Sequence, residues 1–240
     1  MNLAIDIGNS SCKAGVYNTG KKEYVKYSTC RDMDFLPEIT SRYDIDRAIL
    51  SSVRGESTDF SGQLENAGIH TLVLTNDTPL PFKLRYESTE TLGTDRLAAV
   101  AGAHSMFSSN NVLVIDAGTA VTYDLLDSGK AYEGGNISPG LEMRFRALHE
   151  FTGRLPLVSK GDSFSNLGVN TIDAIRSGVQ TGLIFEINEY IRTLNIKYSD
   201  LKIIITGGDG NFFAGKVEAE PILAPDLVLD GLNYILDYNA

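Results

Sequence analysis

The sequence predicts an α/β fold of two halves, each a mixed β-sheet flanked by helices. Two observations predict it. Strand-like and helix-like patterns alternate along the whole chain, as expected of sheets covered by helices. One device also occurs twice: an apolar strand ending in Asp-x-Gly, then a small polar residue, then a second strand.

Each element follows from local pattern. Leu3 to Ile7 reads as a strand that bends at Gly8-Asn9-Ser10 and returns as Lys13 to Tyr17, because alternating apolar residues flank a turn-forming cluster. At mid-chain, Val112 to Ile115 runs into Asp116-Ala117-Gly118-Thr119-Ala120 and continues as Val121 to Leu126. This recurrence divides the chain into residues 1–107, carrying the first turn, and 108–240, carrying the second. Arg47 to Val53 and Thr71 to Leu74 read as short buried strands. Thr94 to Met106 has the Ala-rich apolar spacing of a helix starting near Gly93 or Thr94. Ile172, Ile175, Val179, Leu183, Ile184, Ile187 and Ile191 recur at helical steps and mark a long amphipathic helix beginning near Thr171. Leu201 to Ile205 is a strand that stops at Thr206-Gly207-Gly208-Asp209-Gly210, and Leu227 to Tyr238 again reads as a helix.

Composition narrows the function classes. With 240 residues and 42% hydrophobic content the chain can bury a real core. Its net charge of -10 and lack of a basic patch argue against nucleic acid and anionic membrane as partners. Two cysteines, Cys12 and Cys30, are too few for a disulfide framework, Cys12 reads as a small buried filler, and the first residues lack a signal-peptide pattern, so the cytoplasm is the expected compartment. No apolar run approaches the ~20 residues of a membrane span. His70, His104 and His149 lack the paired spacing of a zinc site.

The turns carry the chemistry of phosphoryl transfer, which needs a cation to neutralise phosphate charge, donors for the transferring group and a base at the attacking hydroxyl. Asp6 and Asp116 each end a strand where a glycine turn begins, so either carboxylate suits a hard divalent cation, directly or through water. Backbone amides around Gly8-Asn9-Ser10-Ser11 and Gly118-Thr119 can line phosphates, with hydroxyls and Lys13 adding donors. Neither a Walker-type phosphate loop nor a dinucleotide-binding glycine fingerprint occurs. Gly93-Thr94-Asp95-Arg96, at the head of a helix, supplies the base candidate: Asp95 can accept a hydroxyl proton, while Arg96 and the first-turn amides attract an anion. The Ser51-Ser52-Val53 strand end, the Gly134-to-Gly140 loop and the Gly207-Gly208 loop are ligand-friendly but receive no chemical step.

With these residues in place, the chain resembles type III pantothenate kinases over nearly its full length. The family belongs to the superfamily of actin, sugar kinases and heat-shock chaperones. The resemblance rests on Asp6-x-Gly8-Asn9-Ser10, Tyr86 with Gly93-Thr94-Asp95-Arg96, Asp116-x-Gly118-Thr119-Ala120, Gly134-Gly135-Asn136-Ile137-Ser138-Pro139-Gly140, and Asn170-Thr171 with Gly178. It implies two actin-like (ribonuclease H-like) halves. It also implies ATP-dependent phosphorylation of pantothenate to 4′-phosphopantothenate, the first step of coenzyme A synthesis.

Residue by residue, Asp95 matches the family's general base. Asp6, Ile7, Gly8, Asn9, Ser10, Ser11, Cys12 and Lys13 match its ATP phosphate segment, and Asp6 keeps the reading that its turn position gives it, a Mg²⁺ site through water. Thr119 matches a further nucleotide contact, and Asp116 the ligand of a monovalent cation, K⁺ or NH₄⁺. Tyr86, Gly93, Thr94, Asp95, Arg96 and Thr171 match the pantothenate-binding positions. The family is homodimeric with pantothenate near the subunit interface, which implies that Thr171 can act from the partner chain. Ser10 stands where Thr is frequent and Thr94 where an apolar residue is frequent. A non-catalytic nucleotide-binding regulator, of the kind labelled a transcriptional accessory factor, and a kinase for another small hydroxylated substrate are the alternatives on the same fold.

Overall fold

Strict alternation along the first strand decides how the first sheet is dressed. In the computed structural model, which describes residues 1–8, 11–28, 35–52, 57–162 and 164–240, strand β1 (Asn2–Ile7) sends Leu3, Ile5 and Ile7 to one face. Asn2, Ala4 and Asp6 face the other side. β1 pairs antiparallel with β2 (Cys12–Asn18), which pairs antiparallel with β3 (Lys21–Ser28). After helix α1 (Leu36–Arg42), β4 (Arg47–Ser52) returns parallel to β1. Helix α2 (Ser57–Asn66) then leads to β5 (His70–Val73), parallel to β4, closing a five-stranded mixed sheet of order β3-β2-β1-β4-β5. Leu3, Ile5 and Ile7 form a core with Ile39 of α1 and with Phe60 and Leu64 of α2.

The opposite face is covered by helix α3 (Thr94–Met106) and, from the far end of the chain, by α7 (Leu227–Tyr238). Asn2 Nδ2 donates to Asn233 Oδ1 of α7 at 2.9 Å. Two glycines permit the close α3–α7 approach: a Cβ on Gly102 would lie 2.4 Å from the Leu227 carbonyl oxygen, and one on Gly231 1.8 Å from that of Ala98. Asp226, just before α7, is held below the usual carboxylate range: burial pushes it up, but hydrogen bonds from Tyr27 and Lys22 more than offset that. These bonds tie the start of α7 to β3.

The remaining elements are β6 (Lys83–Leu84), β7 (Val112–Ala117), β8 (Ala120–Leu126), β9 (Ala131–Pro139), α4 (Leu141–Glu150), α5 (Thr171–Lys197), β10 (Lys202–Thr206), α6 (Gly210–Ala214) and β11 (Ile222–Leu223). The second sheet has the order β11-β10-β7-β8-β9-β6. β7 pairs parallel with β10, and β10 with β11. Only Gly118 and Thr119 join β7 to β8, a connection short enough for antiparallel neighbours alone, so this sheet too is mixed. Leu113, Ile115, Phe145, Val179, Leu183, Ile187 and Phe213 contribute to the core beneath it.

The chain forms two compact units. The first comprises Met1–Ser109, Leu126–Gly134 and Asp226–Ala240, the second Asn110–Leu125 and Gly135–Pro225. Expected Val53 lies outside the described residues, as does Cys30, whereas Cys12 is buried in the first core. Of the expected Gly134-to-Gly140 loop, residues 134–139 instead form the later part of β9, and Gly140 caps the start of α4. The strand's cross-strand pairing absorbs Gly134 at φ +120° without a break, a conformation that glycine adopts freely. No helix among the described residues is long and apolar enough to cross a membrane, and they hold no cluster of three metal-ligating side chains.

Candidate active site

In the first unit the β1–β2 turn and the head of α3 are brought together by strand period. Asp6 lies opposite Lys13 on β2 and beside Ser51 on β4, and the turn is tied by Gly8 N donating to Ser11 O at 3.0 Å. Ser51 is fully buried, and its hydroxyl lies 3.0 Å from that of Thr94, the first residue of α3. A one-residue shift in register would have sent Asp6 to the α1–α2 side. Lys13 holds its ammonium 5.8 Å from the centre of the Tyr27 ring, and Ile7 and Cys12 anchor the turn in the core. Asn9 and Ser10, expected in the phosphate segment, lie outside the described residues.

Asp95, half-buried in the first turn of α3, accepts from the backbone amide of Arg96 through Oδ1 at 2.8 Å. Gly93 makes this rotamer possible, because a Cβ there would stand 2.4 Å from that oxygen. Ahead of it, the Asn76 amide donates to the carbonyls of Thr89 and Leu92, at 3.0 Å for the latter, and pins the turn that delivers Gly93. The buried Arg96 guanidinium lies 6.0 Å from the Tyr86 ring and donates to the Tyr132 hydroxyl at 2.8 Å. Tyr86, Thr94, Asp95 and Arg96 are thereby gathered around one helix start. Asn76 and Tyr132 escaped sequence reasoning: an Asn in a Thr-Asn-Asp turn and a Tyr beside a glycine-rich stretch have commonplace structural uses, and only the pairings distinguish them.

In the second unit Asp116, at the end of β7, lies beside Thr206 of β10. The chain then turns sharply at Gly207, whose φ of +88° suits glycine and whose Cβ would meet Asp116 Oδ1 at 2.4 Å. Asp209 N donates to Ala117 O at 2.8 Å, and Lys160 pairs with the Asp209 carboxylate. The exposed Thr119 sits at the bend, which Gly140 closes by donating its amide to the Thr119 carbonyl at 3.1 Å. A Cβ on Gly140 would come within 2.3 Å of the Gly118 carbonyl. Arg144 steadies this corner, donating to Pro139 O, Ser138 Oγ and Glu186 at 2.7, 2.8 and 2.6 Å. Burial pushes Glu186 upward, but hydrogen bonds from Arg144, Ser138 and Tyr123 hold it below the usual carboxylate range. Arg144 and Glu186 were also missed by sequence, since an Arg on one helix and a Glu on another carry no shared pattern.

Thr171 is the exposed first residue of α5, capped by Asn170, whose side chain accepts from Asp173 N. It lines a cleft with Leu148, Leu155, Val169 and Ala174 that contains no other expected site residue.

Residues 2–193 match the family model for type III pantothenate kinase. This chain belongs to that family. The kinase is 44% identical to a type III pantothenate kinase from Bacteroides fragilis over 100% of this chain and 98% of that one. Among solved structures, a protein from Campylobacter jejuni described as a Baf family transcriptional activator aligns at TM-score 0.67 and 22% identity, over 99% of the kinase and 98% of that chain. Lmo2764 from Listeria monocytogenes, described as an N-acetylmannosamine kinase, aligns at TM-score 0.56 and 13% identity over 100% and 99%. At these identities the last two bear on fold alone, and the fold is the actin-like kinase fold, two mixed sheets flanked by helices.

Proposed function

We propose that this chain transfers the γ-phosphoryl group of ATP to the primary hydroxyl of pantothenate, giving 4′-phosphopantothenate, with Asp95 as general base. Membership of the family supports the reaction. The observation that carries the base assignment is Asp95 itself: a carboxylate fixed by the Arg96 amide at a helix start, on the sheet face shared by Asp6. Ile7 to Lys13 bind the ATP phosphates through turn amides and the Lys13 ammonium, and Thr119 adds a nucleotide contact. Tyr86, Gly93 and Thr94 line the pantothenate site, Arg96 faces its carboxylate, and Thr171 reaches it from a second copy.

The donor chemistry fits the expected cations. Asp6 offers a hard carboxylate suited to Mg²⁺ through water, and Asp116 lies against a loop where Gly207 leaves its Oδ1 uncrowded, suiting K⁺ or NH₄⁺. Bound there, the cations supply neutralisation of phosphate charge. The protein's own part is alignment and proton acceptance at an Asp95 carboxylate oxygen.

Self-association through the second unit belongs to the same reading. Phe151, Leu167 and Val169 are 85%, 83% and 93% exposed around the segment that carries Thr171, an apolar surface that a second copy would cover. The same reading assigns the chain to the cytoplasm. A monomer mass by sedimentation would refute the self-association.

The reaction is tested by ADP release with ATP, Mg²⁺ and K⁺, with and without pantothenate. Wild type should release ADP only with pantothenate. Asp95→Asn should retain ATP binding while turnover falls by about 10²–10⁴-fold. Wild-type turnover in that variant removes Asp95 as base. Pantothenate-independent ADP release, or none at all, points instead to another substrate or to a non-catalytic binding module.

A further inference from the structure

The Arg96 side chain is buried, and its orientation is set before any substrate arrives. One of its terminal nitrogens donates to the hydroxyl of Tyr132, which is 1% exposed, at 2.8 Å. Tyr86 lies across the guanidinium at 6.0 Å, and the two tyrosine rings are 5.9 Å apart, so the guanidinium faces one ring of an aromatic pair and is hydrogen-bonded to the hydroxyl of the other. The pair is itself fixed by backbone. Leu84 stands in register with Tyr132 in the β6–β9 pairing, and Arg85 N donates to Tyr132 O at 2.9 Å. Gly134, at φ +120°, brings the strand past the Tyr86 ring, which lies 3.8 Å from where a Cβ would be. All of these residues belong to the first unit.

We infer that Tyr132 is a positioning residue that sets the orientation of the Arg96 guanidinium and so fixes the kinase's selectivity for a substrate bearing a carboxylate. The inference rests on the reading of Arg96 as the ligand of the pantothenate carboxylate. A free arginine gives up rotamer entropy when it is fixed. A guanidinium already held by one hydrogen bond and an aromatic face has met much of that cost in the folded protein. The Tyr132 hydroxyl and the Tyr86 face fix the plane of the guanidinium, and a guanidinium held in one plane matches the planar geometry of a carboxylate. The effect belongs to binding: Tyr132 acts through Arg96, while proton acceptance belongs to Asp95.

The test is a double-mutant cycle of Tyr132→Phe and Arg96→Lys. It reads pantothenate Kd by calorimetry, KM and kcat where turnover persists, and thermal melting of each variant. Tyr132→Phe should raise KM and Kd for pantothenate about tenfold, about 1.4 kcal/mol, leaving kcat and the KM for ATP within about twofold. In the Arg96→Lys background the same change should add less than about twofold, because its route of action is already gone. The proposal is overturned by an unchanged KM in Tyr132→Phe, by an equal loss in both backgrounds, or by a fall in kcat with KM for ATP rising alongside. A Phe variant that no longer melts cooperatively assigns the hydroxyl to the fold and also overturns it. If Arg96→Lys alone leaves pantothenate Kd unchanged, the failure lies with Arg96 as carboxylate ligand and hence with the functional reading beneath.

Discussion

Replacing Gly231 with alanine probes the contact that closes the first unit. A Cβ there would stand 1.8 Å from Ala98 O, 2.6 Å from Gly102 N and 2.8 Å from Ala98 C. Ordinary contact needs about 3.5 Å, so α7 and α3 would have to separate by roughly 1.5 Å. All three obstacles are backbone of a helix, and no rotamer change relieves them. Overpacking of a well-packed interior costs about 1–3 kcal/mol, and the lack of any flexible neighbour puts this site at about 3. For a chain of this size about 2–4 °C is lost per kcal/mol, so the midpoint should fall by roughly 6–12 °C. Gly62, within α2 and with nothing within 4 Å of its would-be Cβ, provides the control. Gly62→Ala should gain about 0.5–1 kcal/mol from helix propensity alone. Thermal unfolding followed by circular dichroism measures both. A Gly231→Ala midpoint within about 1 °C of wild type, or a comparable loss in Gly62→Ala, would refute the close-packing account.

Two further predictions concern the second turn and pH. Gly207→Ala forces an alanine to φ +88° and drives its Cβ against Asp116 Oδ1, at a strain of about 1–2 kcal/mol. If Asp116 holds K⁺ as proposed, activity with K⁺ should fall towards that with Na⁺, and a variant with wild-type kinetics in both salts would separate Gly207 from that role. His104 is 4% exposed, with Nε2 lacking a hydrogen-bond partner. Burial, helped by Lys130, lowers its pKa from the usual 6.5. The neutral ring is therefore the folded form, and its contribution is complete above pH 6.5 and lost as pH falls from there through the lowered folded value. One proton limits the slope to about 1.4 kcal/mol per pH unit. His104→Phe, which keeps the stack on Tyr234, should melt with a shallower dependence between pH 7 and pH 5, and parallel profiles for the two proteins would eliminate His104 as the source.

Elements with strong periodicity were legible from sequence. Helices Thr94–Met106 and Leu227–Tyr238 occur at their expected bounds, because in each the run of buried residues begins and ends within the helix. Both hairpins follow their Asp-x-Gly turns. Ile172 departs from its stripe: at the first turn of α5 it is 49% exposed, while Ile175 and Val179 are buried. The Gly134-Gly135 pair misled, since paired glycines signal a turn locally, yet here hydrogen bonding to neighbours carries the strand through. α2 and α4 gave little signal: α4 buries only Leu141 and Phe145. At the site, residue types were readable but their supports were not. Asn76, Tyr132, Arg144 and Glu186 act by meeting partners distant in sequence, and such meetings leave no periodicity.

The return of α7 to the first unit bears on how the protein matures at the ribosome. One face of the β3-β2-β1-β4-β5 sheet, the face with Asn2 and Asp6, acquires this part of its cover from residues 227–238. The stretch between Ser109 and Asp226 takes on the order of 10 s to translate, and through that interval the earliest strands await their last helix. Residues that supply most of the second unit emerge in the meantime. The first unit to be synthesised is thus the last to be completed, and Asp6 and Asp95 reach their finished setting only when the nascent chain has delivered α7.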